Sequence, residues 1–225
     1  MSSLQTQFLL CNKSWVTDIF LQVSLSMNYL AHAHLSFGRP QILVGNMISD
    51  FVKGKKQFDY SLPIQKGIRL HRSIDSFTDA HPVTKEMKQV FRPAYGLYAG
   101  AFTDIVYDYF LANDKNEFSS DAALEQFSYE TYTILEGQLT GLPLIFQQMF
   151  PYMKSYNWLY NYRNQWGIQK SFAGMVHRAK YITDPGIAFS IFENNLPSMK
   201  NYYDEFFPLL KNHAAYTLQQ LLNSD

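Results

Sequence analysis

The chain has 225 residues, of which 47% are apolar, 17% charged and 16% aromatic. That composition excludes a disordered polymer and allows one domain with a large aromatic core. Lys+Arg and Asp+Glu balance at 19 each, which argues against a general nucleic-acid binder. The single cysteine, Cys11, excludes an internal disulfide and thiolate zinc sites, and fits a reducing, cytoplasmic setting.

The zero net charge is unevenly distributed. Basic residues outnumber acidic ones over 27–112, and the order reverses over 113–225. If several acids of the first half turn inward to a metal, the rim around them is basic and attracts an acidic or phosphorylated partner. A solvated mixed surface is the simpler alternative.

Residues 1–26 contain two apolar stretches interrupted by Lys13 and Asp18. There is no uninterrupted run of ~18 apolar residues for a membrane span, and no basic start with a small-residue cleavage site. The expectation is an N-terminal extension over 1–26 outside the fold, Met27 as the true start, and one domain over 27–225. The intact mass of the protein made from its native gene tests this.

From there the chain reads as helical almost throughout, an all-α fold with ten helices between Pro- and Gly-marked breaks. The first, 28–36, is apolar and carries His32 and His34. Residues two apart do not share a helix face, so at most one joins a common site. His32 is the candidate, and a satisfied core histidine is the alternative for both.

The second helix, 41–52, places Asp50 near its end, where the helix dipole disfavours an acid and a metal or arginine would offset the cost. Lys53, Lys55 and Lys56 follow around Gly54. They read either as a solvated basic helix end or as a phosphate-steering patch.

The third, 63–78, is the most informative. His71, Asp75 and Asp79 fall at i, i+4 and i+8, lining one helical face with an imidazole and two carboxylates. Such ligands suit a hard or borderline divalent cation. Arg72 projects about 100° away and is suited to bidentate phosphate contact. Asp79 fits two roles, metal ligand or cap of the helix opening at Pro82.

Helices at 82–91 and 95–112 follow. The latter holds Asp104 and Asp108 one turn apart among Phe102, Ile105, Val106, Phe110 and Leu111. Burying an ionised carboxylate without a partner costs several kcal/mol. A cation between the two acids removes that penalty, and an arginine is the structural alternative.

The remaining helices, 120–137, 142–155, 157–166, 168–181 and 186–222, offer less chemistry. Trp158, Tyr160, Tyr162 and Trp166 read as packing residues, and His177, Arg178 and Lys180 as a solvated basic helix end. There is no nucleophile-elbow serine, no nucleotide-binding glycine loop and no placed base for the cysteine. Metal-assisted hydrolysis is the enzyme class with most support.

Four segments carry a resemblance: Met-Asn-Tyr-Leu-Ala-His from Met27, Gly-Asn-Met-Ile-Ser-Asp-Phe-Val-Lys-Gly from Gly45, Gly-Ile-Arg-Leu-His-Arg-Ser-Ile-Asp-Ser-Phe-Thr-Asp from Gly67, and Asp-Ile-Val-Tyr-Asp-Tyr-Phe-Leu from Asp104. In this order they resemble the acyl carrier protein phosphodiesterase family, a divergent branch of the all-helical HD phosphohydrolases. The resemblance implies hydrolysis of holo-acyl carrier protein to apo-protein and 4′-phosphopantetheine, within fatty acid and lipid metabolism, with Mn²⁺ as the usual metal. It implies Asp50, His71, Arg72 and Asp75 as catalytic residues. His32, Asp50, His71, Asp75, Asp104 and Asp108 are the expected metal ligands.

Lys53, Lys55, Lys56, Arg69 and Arg72 are the expected contacts to phosphate and to the acidic carrier protein, with Lys66 nearby. One departure is Tyr109, where the family commonly has histidine; adjacent to Asp108, it should face elsewhere. Two other readings stay open: a related helical metal phosphohydrolase acting on a small phosphodiester or nucleotide, and a carrier-binding module without turnover.

Overall fold

The structure, a computed structural model, describes residues 29–179, 184 and 186–224. The extension expected over 1–26, Met27, Cys11 and Lys180 lie outside the described residues, as does the side chain of Arg178. Among the described residues there are ten α-helices and no strand.

Helix α1 (Tyr29–His34) is short and almost wholly buried. Helix α2 (Pro40–Ile48) opens with proline at its first position, where the missing N–H costs nothing. Two 3₁₀ stretches follow, Ser49–Phe51 and Gly54–Asp59. The helix expected over 41–52 therefore ends at Ile48, and Asp50 sits in a tighter turn beyond it.

Helix α3 (Leu62–Ala80) crosses α2 at two glycines. A Cβ on Gly45 would lie 2.1 Å from the carbonyl oxygen of Ile64, and one on Gly67 would lie 2.3 Å from that of Ile42. Backbone meets backbone there, which only residues lacking a Cβ allow. The crossing matters for the site because Asn46 follows Gly45 directly and His71 lies one turn beyond Gly67.

Helix α4 (Pro82–Tyr95) runs through Pro93 rather than ending at residue 91. Pro93 lies in the last turn, so it removes a single intrahelical bond, and Gly96, at φ 53°, ends the helix. Helix α5 (Ala99–Ala112) is the central buried rod. Helix α6 (Asp121–Glu136) starts from Ser120, whose Oγ accepts from the Ala123 N–H at 3.1 Å.

Helices α7 (Leu144–Ser155), α8 (Trp158–Asn161) and α9 (Gln165–Arg178) complete the middle of the chain. The helix expected over 157–166 shrinks to four residues because Gly167 folds back onto Asn161. A Cβ on Gly167 would lie 1.9 Å from the Asn161 carbonyl oxygen. Trp158 and Tyr162 pack inward as expected, but Trp166 is exposed with Lys170 over its ring.

The long α10 (Gly186–Asn223) packs on α3, α4, α5 and α9. Phe91, Phe102, Phe172 and Phe192 form the centre of the aromatic core, and Phe206 stacks between Phe77 and Tyr107. No helix among the described residues is long and apolar enough to cross a membrane.

Candidate metal centre

Three side chains from two helices converge. His32 on α1 and His71 on α3 stack ring on ring, with centroids 3.9 Å apart and planes inclined 17°. Both point Nε2 at the carboxylate of Asp75: His32 Nε2 lies 3.2 Å from one oxygen, and His71 Nε2 lies 3.1 Å from the other. The ligand atoms of these three residues all fall within 4.8 Å of one another. The imidazoles are 2% and 5% exposed, while Asp75 is 34% exposed, so the group opens to solvent over the carboxylate.

The far side of both rings is held by one residue. Asn46 Oδ1 lies 2.7 Å from His32 Nδ1, and the main-chain oxygen of Asn46 lies 2.7 Å from His71 Nδ1. A carbonyl oxygen can only accept, so His71 Nδ1 carries a proton. The Asn46 amide is oriented by its own donors, with Nδ2 giving hydrogen bonds to the His32 carbonyl at 2.8 Å and to Ser36 Oγ at 3.1 Å. Its Oδ1 therefore faces His32 and accepts from Nδ1–H.

With the proton on Nδ1, His32 Nε2 presents a lone pair to the Asp75 carboxylate. The two atoms lie 3.2 Å apart without hydrogen-bond geometry, so the buried nitrogen has a close neighbour but no hydrogen-bond partner. Unpartnered buried nitrogens are rare and costly. A divalent cation is the group that satisfies a lone pair and a carboxylate together, and ring N–H groups held by carbonyl oxygens are the usual support of metal-bound histidines. The residues fit a metal.

Without a cation, the two imidazoles shift in opposite directions. Burial, reinforced by the charge of His71, lowers the pKa of His32 against the opposing pull of Asp75 and Asp50. For His71, burial also acts downward, but hydrogen bonds and charge from Asp50 and Asp75 outweigh it and push the pKa up to about 10. Burial would raise Asp75, yet the two histidines hold it well below the usual carboxylate range. Asp50, in the 3₁₀ turn after α2, places Oδ1 3.3 Å from His71 Nε2 at the edge of the cluster. It touches this one histidine and is not part of the three-residue group.

The model of one family, acyl carrier protein phosphodiesterase, matches residues 27–210. The chain belongs to the acyl carrier protein phosphodiesterase family. It is 29% identical over 188 residues to the acyl carrier protein phosphodiesterase of Photorhabdus laumondii, spanning 84% of this chain and 95% of that relative. The corresponding protein of Klebsiella pneumoniae is 31% identical over 188 residues, with 84% and 97% covered. That of Yersinia pestis is 28% identical over 190 residues, with 84% and 98% covered. No solved structure matches the chain.

For this member of the acyl carrier protein phosphodiesterase family, several expected site residues stand elsewhere. Asp108 is fully buried on α5, and its two oxygens accept from the Leu30 N–H at 3.0 Å and the Ala31 N–H at 2.9 Å. It serves the start of α1, the helix that carries His32, instead of a metal. Burial raises its pKa well above the ordinary value, against the two N–H donors, with Asp104 adding to the rise. Asp104 is half-buried one turn earlier and is not in the converging group. The buried acid does have a partner, as expected, but the partner is a helix N-terminus.

Asp79 lies outside the converging group and does not cap α4: it pairs with Lys88 at 2.6 Å, while His81 Nδ1 accepts from the Val83 N–H as the cap. Arg72 is exposed and its guanidinium ties down the segment after α2, donating to the Val52 carbonyl at 2.9 Å and to Gln57 Oε1 at 3.2 Å. Lys66 reaches the Ser224 carbonyl at 2.7 Å. Lys53, Lys55, Lys56 and Arg69 are exposed.

His34 faces away from the centre, with Nε2 2.7 Å from Glu117, which also accepts from Lys211. Tyr109 packs edge-on against Phe192, away from the centre. Asn46 was not among the expected site residues. Its signal was a fully buried amide in the otherwise apolar turn of α2.

Proposed function

We propose that the chain is a metal-dependent phosphodiesterase that hydrolyses holo-acyl carrier protein to apo-protein and 4′-phosphopantetheine. The observation that carries this reading is the convergence of His32 Nε2 and His71 Nε2 on the Asp75 carboxylate, with both Nδ1 atoms held from behind by Asn46. Names of the family relatives supply the substrate. The fold reading that goes with it is one helical unit over 27–225, akin to HD phosphohydrolases, with 1–26 outside it. The place of work is the cytoplasm.

In this reading His32, His71 and Asp75 hold the cation, Mn²⁺ or a similar oxygen- and nitrogen-tolerant divalent ion. A bound cation of this kind neutralises phosphodiester charge and acidifies water for attack. Asp50, beside His71 but outside the three ligands, would accept a proton of the attacking water as the phosphorus–oxygen bond to the carrier's serine breaks, and solvent water would protonate the departing serine oxygen. Asp75 opens toward solvent, which gives the phosphate its approach. Lys53, Lys55, Lys56 and Arg69 steer the acidic carrier, and Arg72 fixes the loop that bears the lysines.

Intact-mass measurement of holo-carrier protein incubated with the chain and Mn²⁺ tests the reading. Loss of the phosphopantetheine mass is the expected result. Binding of the carrier with its mass unchanged would replace this reading by a binding module. Hydrolysis of a small phosphodiester or nucleotide alone would replace the substrate.

A further inference from the structure

We infer that Asn46 is the positioning residue that selects the tautomer of His32 and so keeps its Nε2 available for the metal. The inference rests on the metal reading above and assigns a role to a residue that touches neither metal nor substrate.

A neutral imidazole carries one proton, and His32 has an acceptor at each nitrogen. Asn46 Oδ1 stands 2.7 Å from Nδ1, and an Asp75 oxygen stands 3.2 Å from Nε2. Left to charge alone, the carboxylate would take the N–H, since a hydrogen bond to an ionised acceptor is the stronger one. The proton would then sit on Nε2, block the lone pair and tie Asp75 into a closed pair. Asn46 reverses that preference by distance and by a fixed orientation.

The orientation is set by three partners. Nδ2 donates to the His32 carbonyl and to Ser36 Oγ, and Ser36 Oγ in turn donates to the same carbonyl at 2.8 Å. Flipping the amide would set its oxygen against that carbonyl and its NH₂ against Nδ1–H. Every group in this network is buried: Asn46 and Ser36 are 0% exposed and His32 2%. Water therefore does not compete for the amide.

The same residue holds the second ring through its main chain, which no side-chain substitution removes. This gives an asymmetric prediction. Changing the Asn46 side chain should release His32 and leave His71 in place.

The test combines ¹⁵N–¹H correlation spectroscopy of the histidine rings with calorimetric titration of Mn²⁺. In the metal-free native protein His32 should carry its proton on Nδ1. Asn46→Leu, similar in size but without an acceptor, should move that proton to Nε2. It should weaken Mn²⁺ binding about 10–100-fold, the range for lost support of a ligating histidine. Asn46→Asp, whose protonated acid can present one oxygen to Nδ1–H and its hydroxyl to the His32 carbonyl, should restore the native tautomer.

A native His32 protonated on Nε2 overturns the inference whether or not the leucine variant folds. So does a folded Asn46→Leu with native tautomer and Mn²⁺ affinity. If the native protein takes up no Mn²⁺ while His32 still holds its proton on Nδ1 until Asn46 is replaced, the tautomer assignment to Asn46 stands, and the metal reading fails together with the purpose it gives that tautomer.

Discussion

Gly45 on α2 and Gly67 on α3 face each other so closely that a Cβ on either would lie 2.9 Å from the Cα of the other. The crossing brings the Asn46 carbonyl within 2.7 Å of His71 Nδ1, so helix packing and site geometry are one feature. Gly67→Ala would push a methyl against the Ile42 carbonyl, a backbone atom with little freedom to yield. The expected cost is about 3 kcal/mol, the upper end for overpacking, with weakened Mn²⁺ binding in what remains folded. Urea denaturation and Mn²⁺ titration check this, and native values in both would remove the link between crossing and site.

Asp108 gives a prediction that separates scaffold from ligand. Asp108→Ala leaves the Leu30 and Ala31 N–H groups buried without an acceptor. Each unsatisfied buried group costs ~1–3 kcal/mol, so the variant should lose about 2–6 kcal/mol, while Asp108→Asn, with one oxygen left to accept, should lose less. Mn²⁺ affinity per folded molecule should change far less than in Asp75→Asn. Loss of Mn²⁺ binding in Asp108→Asn at unchanged stability would return Asp108 to the ligand set.

These cases show why part of the site was legible and part was not. His71 and Asp75 lie one turn apart on one helix, so local periodicity alone places them together, and they do meet one partner. Parity separates His32 from His34, but spacing alone does not favour His32, because the choice depends on which face of α1 meets α3. The same need for a partner that correctly flagged Asp108 could not name it. Two amide hydrogens of a helix start satisfy a buried acid as a cation would, and sequence does not distinguish them. Asn46 escaped because its work is done half through a backbone oxygen, which every residue possesses. Gly45 and Gly67 each cost helix stability where they stand, and nothing local in the sequence pairs one with the other.

Metal removal should make stability depend on pH through His71. The groups facing it are His32 from α1, Asp50 from the turn after α2, and Asp75 from its own helix. Its pKa is raised from the ordinary imidazole value of 6.5 to about 10 on folding. The stabilisation is therefore fully present below pH ~6.5 and is lost as pH rises toward 10. Chelator-treated protein should lose Tm over that interval, and His71→Gln should flatten the decline. A bound cation displaces the His71 proton, so Mn²⁺ should raise Tm more at pH 8 than at pH 6. Thermal melts with and without chelator decide it; a Mn²⁺ effect that shrinks with pH would contradict the assignment.

The basic loop should govern encounter rather than chemistry. Lys55 and Lys56 are exposed on the 3₁₀ stretch Gly54–Asp59, beside the exposed ring of Phe58 and fastened through Gln57 to Arg72. The ion pairs of His32, His71 and Asp75 run among themselves and to Asp50, and none involves these lysines. Reversing both charges, Lys55→Glu with Lys56→Glu, should raise KM for holo-carrier protein roughly 10-fold with kcat nearly unchanged, since exposed charges act mainly on association. The difference should fade as salt rises, because the Debye length falls from about 10 Å at 0.1 M to 3 Å at 1 M. Arg72→Ala should act in the same direction by loosening the loop. Steady-state kinetics across a salt series provide the check: a kcat loss equal to the kcat/KM loss would place these residues in the transition state instead, and an unchanged KM would move the docking surface elsewhere.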